Sequence, residues 1–130
     1  MNLSNKDLLD LSLLPKVLLS DFISCQSKKL YTQLMEKFIN GIIGGPEFKE
    51  EFCQIWRLNR DTEYTSEEIL KIGDGKLIEL KGFSTITSDL FTDCDVFEPD
   101  PLLRGDSGIS EIELKTCVKK ALSEIKYRYH

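Results

Sequence analysis

The stretch that decides the fold is YTQLMEKFINGIIGGPEFKEEFCQIW, Tyr31 to Trp56. Tyr31, Leu34, Met35, Phe38, Ile39 and Ile42 recur at the i, i+3, i+4, i+7 spacing that gathers apolar side chains on one face of an α-helix. Gly41, Gly44 and Gly45 follow, in the glycine-rich manner of a helix end. Pro46 suits the first position of a new helix, where a missing N–H costs nothing. Phe48, Phe52, Ile55 and Trp56 carry the second stripe, and Glu47, Glu50 and Glu51 stand near the positive end of that helix's dipole. A connection this short predicts an antiparallel hairpin. Trp56 and the Tyr31/Phe38 stripe read as core rather than as a ligand box.

Working outward, Ser110-Glu111-Ile112-Glu113 reads as a capping box, with Leu114, Val118, Ala121, Leu122 and Ile125 continuing a buried stripe behind it. A further helix is expected from Ser84 or Thr87 to Val96, burying Ile86, Leu90, Phe91 and Phe97 and stopping at Pro99. The first 28 residues are apolar nearly all round and interrupted by Pro15, which suggests one or two short helices. Between 59 and 83 a helical turn is expected at Ser66 to Ile72, and Lys76 to Leu80 reads either as a short strand or as part of a long loop. The expectation is all-α: an antiparallel bundle of about four core helices with an extra N-terminal helical segment, the 130 residues forming one domain.

The composition, 41% apolar and 30% charged, is that of an ordinary globular chain. No apolar run approaches the ~20 residues that span a bilayer. The Leu-rich start carries Asp7, Asp10 and Asp21 and lacks a basic leader region and a small-residue cleavage site, so a cytoplasmic protein is expected, away from membranes. Cys25, Cys53, Cys94 and Cys117 contain no CxxC pair and read as four reduced thiols. The single histidine is His130, the last residue, which removes Ser-His and Cys-His nucleophile pairs. GIIGGP and GDGKLIELKG match neither glycine-rich phosphate loop. No enzyme and no cofactor is expected.

Charge is distributed unevenly. Residues 84–113 hold eight acids and one base, Arg104, and the densest part is DCDVFEPDP, Asp93 to Pro101. Carboxylates this close repel one another, so a metal, a proton-transfer reaction or a basic partner should offset the cost. An EF-hand loop starting at Asp93 would need Gly where Glu98 stands and Glu where Arg104 stands, so no metal is expected. The acids lack the companions of a glycosidase-like acid/base pair. A merely wet surface is the plain alternative, but Pro99 and Pro101 stiffen the corner and lower the entropy lost on binding. An acidic face disfavours DNA or RNA, whose phosphates are bound by Lys and Arg. The candidate contacts are Asp93, Asp95, Phe97, Glu98 and Asp100, with Phe97 and the exposed side of its preceding helix as the desolvated part. The Arg104-Gly105-Asp106 tripeptide is discounted as a chance match.

LMEKFINGIIGG, PEFKEEFCQIWR, DVFEPDP and SEIELKTCVKKALSEI, in that order, resemble the bacterial self-protective colicin-like immunity proteins, over about residues 30–58 and 86–126. Phe97-Glu98-Pro99-Asp100 is the most specific match. The family includes the colicin D inhibitor, and related proteins guard against contact-dependent growth-inhibition toxins. The resemblance implies a non-catalytic helical bundle that binds the C-terminal nuclease domain of a cognate toxin, expected to cleave tRNA, and blocks its basic active site. Acids at Asp95, Glu98 and Asp100 would stand in for RNA phosphates. Against the family pattern, residues 1–28 are an N-terminal extension and 59–83 a longer insertion, either of which could alter the docking face. The competing reading is a non-catalytic helical adaptor or regulator for another basic protein.

Overall fold

A computed structural model describes residues 18–72 and 74–129. Residues 18–26 are helical (α1), followed by α2 (Lys28–Ile39), α3 (Gly45–Asp61), α4 (Ser66–Ile72), α5 (Asp74–Glu79), α6 (Phe83–Asp95) and α7 (Glu111–Arg128). The expected helices before Leu18 lie outside the described residues.

The hairpin forms, but α2 stops at Ile39, and Ile42, expected on its buried stripe, lies beyond it at 70% exposure; the glycines divide the labour. Gly41 adopts φ +74°, and the Ile42 N–H donates to the Lys37 carbonyl at 2.8 Å while the Gly41 N–H donates to that of Phe38 at 3.1 Å. This pair of bonds is the Schellman arrangement that closes α2. Gly44 is the N-cap of α3, and Gly45 already lies inside that helix with Pro46 behind it. Gly45 is there for space: a Cβ would lie 2.5 Å from Cζ of Phe97 and 2.7 Å from a carboxylate oxygen of Glu111.

The four long helices α2, α3, α6 and α7 close a ring in which each packs on the next and α7 returns to α2. Paired residues give the directions. Phe38 stacks on Phe48 at 4.8 Å while Asn59 bonds Tyr31, Trp56 stacks on Phe91 at 3.9 Å while Cys53 lies by Cys94, and Phe83 meets Tyr129 while Asp93 faces Cys117. Every neighbouring pair is therefore antiparallel. The shared core holds Tyr31, Phe38, Phe48, Phe52 and Phe83 with no exposed surface.

The bundle thus has two different ends. One carries the α2–α3 loop, the C-terminus of α6 and the start of α7. The other carries α1, α4 and α5. The segment read as a strand or loop at Lys76–Leu80 is instead mostly helix, α5. Leu77 and Leu80, both buried, stand three apart, which a helical turn places on one side and a strand would place on opposite sides. α6 begins at Phe83 because Gly82, at φ +91°, reverses the chain just before it. Buried Asp21 of α1 then accepts the N–H groups of Gly82 at 2.9 Å and Ser84 at 2.8 Å, completing the helix start that its own N-cap leaves without a side-chain bond.

Candidate partner interface

The segment between α6 and α7 is short on regular structure but well braced. A single parallel bridge joins Phe97 to Ile109: the Ile109 N–H donates to the Val96 carbonyl at 2.9 Å, and the Glu98 N–H donates to that of Ile109 at 3.0 Å. Everything from Glu98 to Gly108 is consequently a loop with fixed ends. Beyond it, the Ser110 hydroxyl accepts the Glu113 N–H at 3.1 Å and the Glu113 carboxylate accepts the Ser110 N–H at 3.2 Å, the reciprocal capping box expected there. Glu111, beside them, accepts the N–H of Gly45 and so ties α7 to the start of α3.

Inside the loop the acids organise the backbone. Asp100 Oδ1 accepts the Leu102 N–H at 2.9 Å, and Glu98 Oε1 accepts the Asp100 N–H at 3.3 Å. Arg104, the one base of the region, turns inward: its Nε donates to the Glu98 carbonyl at 2.9 Å and its guanidinium to that of Pro99 at 3.2 Å. Gly108 permits this closeness, since a Cβ there would lie 2.2 Å from the Arg104 carbonyl oxygen. Among the described residues the ion pairs are Arg60–Asp61, Lys76–Glu79, Lys126–Glu36 and Arg128–Glu124. None of these pairs involves the carboxylates of Asp95, Glu98 or Asp100.

The five sequence-derived contact residues do not form one cluster. Glu98 and Asp100 share the loop, and Asp95 is exposed at the end of α6 just before it. Asp93 belongs elsewhere, because two residues along a helix turn by about 200°. It lies in a groove between α6 and α7 with Asp89, Cys117, Lys120 and Glu124. Partial burial pushes its carboxyl above the usual range, opposed by the Cys117 thiol and Lys120 and reinforced by Asp89. Phe97 must be corrected as a docking anchor. It is 4% exposed, its ring seated against Gly45, so it holds the loop's base to the core and offers little surface to a partner. The earlier expectation that Phe97 is buried is the one the structure bears out.

A groove of about 460 Å³ runs beside this loop, lined by Phe97, Glu98 and Pro99 on one side and by Lys49, Cys53 and Arg57 of α3 on the other. Burial raises the Cys53 thiol above its usual range, with Arg57 and Lys49 opposing and Asp95 adding to the rise. Two features escaped the sequence reading. Leu102 and Leu103, at the loop's tip, are 92% and 72% exposed. Arg104 is a brace for the loop rather than part of a recognition tripeptide. The adjacent leucines between a proline and an arginine, outside any helical period, were the available signal.

The described residues thus form a helical ring with a braced acidic loop at one end. Comparison with protein families matches residues 27–125 to the family described as bacterial self-protective colicin-like immunity, and the chain belongs to that family. It is accordingly an immunity protein, with a cognate toxin as its partner. No curated protein and no solved structure matches the chain. Among the described residues no helix is long and apolar enough to cross a membrane, no group of His, Cys, Asp or Glu is arranged to hold a metal, and the four cysteines are free.

Proposed function

We propose that this chain neutralises the nuclease domain of its toxin, a tRNA-cleaving domain being the expected case, by covering a basic active site with the carboxylates of Asp95, Glu98 and Asp100. The inhibitor acts stoichiometrically in the cytoplasm, without chemistry, cofactor, nucleic acid or membrane of its own. Residues 1–130 serve as one domain, and the insertion at 59–83, together with α1, stands at the end of the bundle opposite the acidic loop, where it leaves docking free.

The observation that carries this reading is the engagement of Arg104 with backbone carbonyls. It fixes the loop without forming an ion pair to the neighbouring carboxylates, which stay available to a basic partner. A nuclease site must be positive to hold phosphates. Complementary fields raise association toward ~10⁸–10⁹ M⁻¹s⁻¹ at low salt, which suits an antidote racing against substrate.

The test is growth rescue. Cells expressing the C-terminal domain of the exported protein encoded next to this chain should survive when the chain is co-expressed. The triple variant Asp95→Asn, Glu98→Gln, Asp100→Asn should lose protection while melting within a few degrees of the parent. These replacements keep oxygen acceptors where the Asp100 and Leu102 N–H groups need them. Full protection by the triple variant would remove these acids from the interface.

A further inference from the structure

The acidic loop ends in the least covered apolar surface of the described residues. Leu102 at 92% exposure exceeds every other large apolar side chain, Leu103 follows it directly at 72%, and Pro99 and Pro101 before them are also exposed. The leucines are held in position. Asp100 accepts the Leu102 N–H through its side chain and that of Leu103, at 3.1 Å, through its carbonyl. Arg104 locks the following turn onto Glu98 and Pro99. The tip is flanked by the exposed or half-exposed acids Glu98, Asp100 and Asp106.

We propose that Leu102 and Leu103 are the desolvated anchor of toxin binding, entering an apolar recess on the toxin whose rim carries Lys or Arg. The inference rests on reading the chain as a toxin inhibitor and goes beyond it. Charge complementarity selects the occupant: an apolar knob ringed by acids fits an apolar hollow ringed by bases. A second copy of this chain would set the same acids against each other. The two parts divide the work, since exposed charges mainly set the association rate and the buried centre mainly sets dissociation.

The experiment measures association and dissociation rates against the purified C-terminal toxin domain at several salt concentrations. Four proteins are compared: the parent, Leu102→Ser/Leu103→Ser, Glu98→Gln/Asp100→Asn, and Leu70→Ser, an equally apolar exposed site at the far end of the bundle. The leucine pair should dissociate at least ~10-fold faster, with its association rate within about threefold of the parent. The acid pair should do the reverse and show a weaker salt dependence, and Leu70→Ser should match the parent. Parental dissociation from the leucine variant would overturn the anchor while the acid result still stands. Self-association of the parent that vanishes in the leucine variant would place a second copy there and overturn it as well. A parent that does not bind the toxin domain would overturn both this proposal and the functional reading beneath it.

Discussion

Arg104 donates from Nε to the main-chain oxygen of Glu98 at 2.9 Å and forms no ion pair with the carboxylate of the same residue. The guanidinium shapes the loop while its charge stays beside the acids.

The first prediction follows from that geometry. Arg104→Met removes a positive charge from an acidic face, so charge alone would predict faster and tighter binding to a basic toxin. Loss of two hydrogen bonds to loop carbonyls should instead loosen the loop, and affinity should fall. Each bond contributes about 1 kcal/mol, so the melting temperature should fall by a few degrees. Calorimetric titration checks the sign.

Gly45 offers a test of the loop's foundation. An alanine methyl would lie 2.5 Å from the Phe97 ring. Overpacking of this kind costs roughly 1–3 kcal/mol. Gly45→Ala should lower the urea midpoint by a corresponding amount and should weaken toxin binding as well, because Phe97 carries the base of the acidic loop.

At the opposite end, Asp21→Ala should destabilise the bundle by about 2 kcal/mol, since the N–H groups of Gly82 and Ser84 lose their acceptor. The rates of toxin binding should not change in the folded fraction. Denaturant unfolding and binding kinetics on the same sample separate the two effects.

Asp93 gives a pH signature. Its carboxyl is raised in the folded state by burial first, then by Asp89, against the lowering by the Cys117 thiol and Lys120, with Glu124 also lining its groove. A folded group that binds its proton more tightly than the unfolded one stabilises the fold at low pH, and that contribution is lost as pH rises through the folded value. Asp93→Asn should therefore melt higher than the parent at pH 7 and match it at pH 3. Equal melting curves at both values would remove the asymmetry.

Much of the scaffold was legible because helices announce themselves locally. Tyr31, Met35 and Phe38 share a face by spacing alone, and Ser110 and Glu113 close the capping box within one turn. The Lys76–Leu80 segment was not legible, since five residues carrying Leu77, Ile78 and Leu80 satisfy strand and helix alike until burial of both Leu77 and Leu80 selects the helical turn. The candidate site was legible as charge and illegible as geometry. Asp93 and Asp95 are neighbours in the chain, yet α6 turns them to different faces.

By itself, then, the sequence determined the helical bundle, the acidic segment and the family resemblance, since periodicity, capping residues and charge counts are properties of short stretches of chain. Only the tertiary structure decided that Glu111 caps α3 from another helix, that Phe97 is sealed by Gly45, and that Arg104 faces carbonyls instead of carboxylates. Those relations join residues separated along the chain or dispose of alternative partners, and spacing carries no record of which donor meets which acceptor once the helices have packed.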